Sequence, residues 1–232
     1  ELCCADIRSV HLAQESGVDG IELCIDLSHG GLTPSLGMIR TARSVFQGEL
    51  AVLIRPRKGG FHYEPDELNV MLEDIRSLQG EGVDVVVTGA LTREGHIDTD
   101  ALQQLIQASA GLRVCFHKAI DHARVPVEQI PKLIALGVHR VLTSGGASTA
   151  WVGRENLKLW QEQFGDKIEI MAGGGIQPEH LLSLVEHTRI RRVHAALRIP
   201  VDPEKPSDPL GTPEMTDPQK LRSIMQGIGK SY

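Results

Sequence analysis

Eight short apolar, β-branched runs recur from one end of the chain to the other, each followed by a glycine-rich or polar turn and then by a segment of helical period. They fall at 2–5, 20–24, 50–54, 83–88, 113–117, 140–143, 168–172 and 192–195. Continuous apolar character suits strands buried on both faces, the habit of parallel sheets covered by helices. Amphipathic stretches at 66–79, 98–108, 127–136, 154–164 and 178–186 read as connecting helices. Prolines or acids stand in their first turns and glycines follow several of their ends. Eight βα units can close into a (β/α)8 TIM-like barrel without edge strands. The rival is a doubly wound open sheet, but no G-x-G-x-x-G fingerprint follows the first strand. A proline-rich stretch at about 200–218 reads as a long loop, and a final helix at about 218–228 completes the ring.

The 232 residues lie close to the roughly 250 typical of one such barrel, so one domain over residues 1–232 is expected. With 41% hydrophobic residues the chain can bury a large core without staples, and its four irregularly spaced cysteines read as free thiols. A formal net charge of −6 offers no broad positive field for phosphate backbones, which makes nucleic acid a poor partner. No run approaches the ~18 apolar residues of a membrane span, and the first residues lack the features of a signal peptide. A cytoplasmic address is the default expectation. The chain opens inside a strand and without Met, which suggests that a few residues or a short leader precede it.

In a barrel the functional residues stand where strands end and face the axis. Alternation along the first two strands turns Leu2 and Leu23 to the helices and Glu1, Cys3, Glu22 and Cys24 inward. The third strand ends in Ile54-Arg55-Pro56-Arg57, whose arginines share a parity. Glu22, with Glu1, beside Arg55 and Arg57 would make either a structural ion-pair ring or a ligand site. His117, at the end of the fifth strand, could be a general base, an anion donor, a metal ligand or a packing residue. Cys115 shares its parity and reads as core. Turns after the sixth and seventh strands, with Ser144-Gly145 and Gly174-Gly175, could cradle an anion with their N–H groups or merely let strands bend into helices. Cys3 or Cys4, which cannot both face the axis, stands with Cys24 where thiols could gather around Cu(I).

The segments Glu1-Leu2-Cys3-Cys4, Ile21-Glu22-Leu23-Cys24, Gly30-Gly31-Leu32-Thr33-Pro34-Ser35, Ile54-Arg55-Pro56-Arg57, Thr88-Gly89-Ala90-Leu91, Phe116-His117-Lys118-Ala119, Val141-Leu142-Thr143-Ser144-Gly145 and Met171-Ala172-Gly173-Gly174-Gly175-Ile176 together resemble the copper homeostasis protein CutC family. The resemblance runs over roughly residues 1 to 198. It implies a TIM-like barrel, a cytoplasmic location and a role in copper homeostasis, with Cu(I) held by Cys24 and by Cys3 or Cys4. The chain departs from the family pattern at Val193-His194-Ala195-Ala196-Leu197-Arg198, which lacks the usual serine-containing ending. Two readings follow: a Cu(I)-binding homeostasis protein, or an enzyme acting on a small anionic or phosphorylated metabolite through His117, Arg55, Arg57 and Glu22. A metal ion or a small anion is the expected partner, and homo-oligomerisation stays open.

Overall fold

A computed structural model describes residues 1–202 and 212–229. Eight parallel strands pair in chain order: β1 (Leu2–Cys4), β2 (Gly20–Leu23), β3 (Glu49–Leu53), β4 (Val85–Thr88), β5 (Arg113–Phe116), β6 (Arg140–Thr143), β7 (Glu169–Gly173) and β8 (Arg192–His194). The ring closes where Leu2 pairs with Ala195, the Cys3 N–H donating to the Ala195 carbonyl at 2.8 Å. The fold is therefore the expected (β/α)8 TIM-like barrel, and every sequence-predicted strand is present.

The crossover helices are α1 (Ile7–Glu15), α2 (Leu36–Val45), α3 (Pro65–Ser77), α4 (Thr99–Ala108), α5 (Pro126–Ala135), α6 (Arg154–Phe164) and α7 (Pro178–Thr188), followed by α8 (Pro218–Gly227). Their starts are fixed by side chains that satisfy the first free N–H groups. Asp6, Ser35 and Asp98 accept from Ser9, Met38 and Ala101, and Glu64 forms a capping box with Glu67. The proline-rich stretch is not wholly a loop. Its two flanks pair as an antiparallel ribbon, β9 (Arg198–Pro200) with β10 (Glu214–Thr216), while 203–211 lie outside the described residues. Among the described residues no helix is long and apolar enough to cross a membrane.

Side-chain alternation sorts the core into two bodies. Leu2, Cys4, Ile21, Leu23, Leu50 and Val52 point outward into the main core between sheet and helices. Cys3, Cys24, Ala51, Leu53, Val85, Val87, Cys115, Leu142 and Met171 point inward and fill the barrel. Beneath this apolar plug, at the strand starts, lies an ionic layer. Arg140, fully buried, reaches Glu49 at 3.0 Å and Glu1 at 3.5 Å and also pairs with Glu169. Arg113 and Arg192 close on Glu49 from the sides at 2.9 and 2.6 Å. These ion pairs fill the barrel base, on the side opposite the carboxyl ends of its strands.

Candidate functional site

Above the plug, a cavity of about 450 Å³ opens among Cys3, Glu22, Arg55, Phe61, His117, Lys118, Gly174, Gly175 and His194. β1 and β2 supply its floor. Cys3 pairs in register with Glu22, so both face the axis side by side, and Cys24 follows Glu22 by two residues. The Cys3 and Cys24 sulfurs stand 3.6 Å apart, and the Cys3 thiol points to Glu22 Oε1 at 3.8 Å. The hydrogen bond to Cys24 and burial push the Cys3 thiol well above its ordinary range. Burial likewise lifts the Glu22 carboxyl to about 7, and its second oxygen has no hydrogen-bond partner.

Cys4 does not join this group. It sits in the outer core with its thiol toward the Leu2 carbonyl, because adjacent residues of a strand face opposite sides. Cys115 is interior and fully buried, as its parity requires.

The arginines part company, contrary to the expectation from their spacing. β3 ends at Leu53, and beyond it strand alternation no longer applies. Arg55 turns over the cavity rim, where its guanidinium donates to the carbonyls of His29, Gly31 and Gly59, each at 2.8 Å. Arg57 is drawn away to α3, pairing with Glu67 and donating to the His62 and Gly60 carbonyls. Glu1 also lies elsewhere than expected. It is tied to Arg140 in the base layer and to His194 Nδ1 at 2.8 Å, so no ring of Glu1, Glu22, Arg55 and Arg57 exists. Burial alone would raise the Glu1 carboxyl, but the hydrogen bond and charge of His194 overcome it and bring the group down to about 2.

His117 follows β5, and its Nδ1 accepts the Ala119 N–H at 3.2 Å. Its ring lies against Phe61, with centroids 4.9 Å apart, and Nε2 has no partner. Burial, aided by the Arg55 charge, drives its pKa down to about 3, so the imidazole is neutral.

The turn after β6 does not present a free anion cradle. Asp121 fills it: the carboxylate accepts from the Ser144 and Gly146 N–H groups at 2.9 Å and from the Thr143 and Ser144 hydroxyls. The Gly145 N–H goes to the Thr143 hydroxyl. Lys118 completes this knot, reaching Ser144 Oγ at 2.8 Å and Asp121 at 3.1 Å. Gly174 and Gly175, after β7, do line the cavity, and a side chain at Gly174 would collide with Lys118.

Sequence reasoning passed over His194. Its ring lies between Glu1 and Glu22, and although burial opposes charge, the carboxylates around it hold its pKa well above the ordinary value. Parity alone would have turned it inward, since it stands two residues after Arg192.

Among the described residues, two groups of side chains bring ligand atoms within 4.8 Å of one another: Cys3, Glu22 and Cys24, and Glu1, Glu22 and His194. The first combines two soft sulfurs with a carboxyl, a donor set that suits Cu(I) better than the oxygen-seeking Mg²⁺ or Ca²⁺.

Comparison with known proteins bears on the same residues. The chain is 43% identical over 194 residues to family protein CutC of Pasteurella multocida, covering 84% of this chain and 80% of that protein. It is 41% identical over 199 residues to the corresponding protein of Bacteroides thetaiotaomicron, covering 85% and 80%. A crystal structure of CutC from Streptococcus agalactiae, assigned to copper homeostasis, superposes with a TM-score of 0.80 at 33% identity, covering 84% of this chain and 96% of that one. Orotidine 5′-phosphate decarboxylase from Pyrococcus horikoshii, at 14% identity and a TM-score of 0.63, shares the barrel alone. The CutC family model matches residues 1–199, which span every barrel strand and the whole floor of the cavity, and the chain therefore belongs to the CutC family.

Proposed function

We propose that this protein serves copper homeostasis by binding Cu(I) between the thiolates of Cys3 and Cys24. The observation that carries this reading is the 3.6 Å approach of two sulfurs at the floor of the cavity. Cu(I) accepts few ligands and prefers thiolates, so two converging sulfurs are sufficient donors. Membership of the family supports the role, since the Streptococcus agalactiae relative is assigned to copper homeostasis. The Cys3 thiol is protonated when metal-free, because its hydrogen bond to Cys24 and its burial raise its pKa well above the ordinary value. Capture of the ion must then release protons. Glu22, whose Oε1 is the nearest acceptor to the Cys3 thiol, is placed to take the first of them.

The test is an anaerobic competition between the protein and a Cu(I) chelator, with proton release followed in weak buffer. Cys3→Ser and Cys24→Ser should each abolish tight binding. Cys4→Ser, on the opposite face of β1, and Cys115→Ser should leave it intact. Equal copper affinity in all four variants would remove the pair from the mechanism.

A further inference from the structure

The same cavity holds buried polar atoms that have no partner and play no part in holding a thiol-bound ion. The first is His117. Its Nδ1 lone pair is occupied by the Ala119 N–H, so the proton of the neutral ring sits on Nε2. That Nε2–H is buried with no partner, in a residue only 5% exposed. The ring cannot swing to find one. Gly89 lies beneath it so closely that a Cβ there would stand 2.7 Å from Nδ1, and Phe61 lies against its face.

The second is Glu22, also 5% exposed, whose Oε2 has no partner. The third is the charge of Arg55. Its guanidinium donates to three carbonyl oxygens, and among the described residues no carboxylate forms a salt bridge with it. Buried polar atoms and charges are costly unless matched, and a ligand that matches all three gains what the apo cavity forgoes.

We propose that the cavity is a binding site for a small hydroxycarboxylate, whose carboxylate accepts from His117 Nε2–H beside the Arg55 guanidinium while a hydroxyl bonds Glu22 Oε2. Charge selects a carboxylate over a phosphate. Arg55 is the one buried cation of the lining that carries no carboxylate partner among the described residues, since Lys220, also without one, is half-exposed. Lys118 is committed to Asp121, Arg198 to Glu214, and the amides of the β6 turn to Asp121. One buried unmatched cation suits a monoanion, whereas a dianionic phosphate close to Glu22 would lack a second buried counter-charge. The volume, about 450 Å³, lies at the low end for small-molecule pockets. The inference uses none of the thiols and stands apart from the copper reading.

The experiment is calorimetric titration of the full chain with glycolate, L-lactate, D-glycerate and D-gluconate, with glycerol and glycerol 3-phosphate alongside. A Cu(I) chelator is kept in the buffer, so that no result depends on the metal. Long-range ¹H–¹⁵N spectra of the histidine rings follow the same samples. At least one hydroxycarboxylate should bind at one site per chain and shift the Nε2 resonance of His117 while Nδ1 stays an acceptor. His117→Phe, which keeps a flat ring but removes the donor, should weaken that binding about tenfold, the worth of one buried hydrogen bond. Gly89→Ala, which displaces the ring and leaves its chemistry intact, should weaken it comparably, with thermal melting used to verify that each variant folds. If no hydroxycarboxylate binds at millimolar concentration, the proposal fails. It fails equally if glycerol 3-phosphate binds more tightly than every carboxylate, or if both folded variants bind like the wild type.

Discussion

Replacing Arg140 by Met tests the ionic layer that fills the barrel base. Arg140 is 1% exposed and holds three carboxylates, with Glu49 at 3.0 Å and Glu1 at 3.5 Å. Met fills much of its volume and carries no charge. Removing one partner of a buried ion cluster usually costs about 3–5 kcal/mol, because the carboxylates left behind remain out of water. The lower end applies here, since each carboxylate keeps another cation. Glu49 retains Arg113 at 2.9 Å and Arg192 at 2.6 Å, Glu169 retains Arg192 at 3.4 Å, and Glu1 retains His194 at 2.8 Å. A loss of about 3 kcal/mol at pH 7, or a Tm lower by roughly 6–12 °C for a chain of this size, is expected in urea and thermal unfolding. The pH dependence carries the sign. Burial favours the neutral form of Glu49, but Arg140 overcomes it and holds the group below its ordinary 4.5. The stabilisation is therefore complete above about pH 4.5 and is lost as pH falls through the folded value. The gap between wild type and variant should narrow below that pH. A loss under about 1 kcal/mol, or a gap that stays constant into acid, would refute the reasoning.

Other perturbations address the cavity and its rim. Asp121→Ala should destabilise by about 3 kcal/mol, since it removes the acceptor of several hydrogen bonds and leaves the Ser144 and Gly146 N–H groups and the Thr143 hydroxyl without it, and inorganic sulfate should raise the Tm of the variant but not of the wild type by occupying the vacated amides. His117→Gln should change the acid limb of the stability curve. The folded imidazole resists protonation down to about pH 3, so below its ordinary 6.5 the unfolded chain takes up a proton that the folded one refuses, and wild-type stability falls as pH drops from 6.5 towards 3. The variant should lose that slope, up to about 1.4 kcal/mol per pH unit, and an unchanged slope in urea unfolding would contradict a buried neutral ring.

Much of this architecture was legible because its signals are local. Each strand run and each capping residue lies within a few positions of the turn it governs, and alternation alone sorted Leu2 from Cys3 and Leu23 from Cys24. The misplacement of Arg57 marks the edge of that logic. Parity holds only while the chain is a strand, and after Leu53 a competing partner on α3, Glu67, decided the matter. Nor could the glycine turn after β6 be read alone. Its amides could have held an anion or merely let the strand bend, and in the structure they hold Asp121, supplied by the preceding βα loop. Arg140 and His194 escaped notice because their partners lie far along the chain: His194 meets Glu1 across a separation of 193 residues.

The seam between β8 and β1 gives that separation a temporal meaning. Cys3, Glu22 and His194 line one cavity, yet Cys3 and His194 belong to the strands that meet only when Leu2 pairs with Ala195. Contacts between distant parts of a chain carry the largest loop-closure entropy and tend to form late. A ribosome must therefore deliver nearly the whole barrel before its cavity has a complete wall, and a nascent chain lacking β8 offers its cysteines no finished enclosure. Any ligand that bridges these strands binds the closed ring alone and so draws the last step of folding to completion.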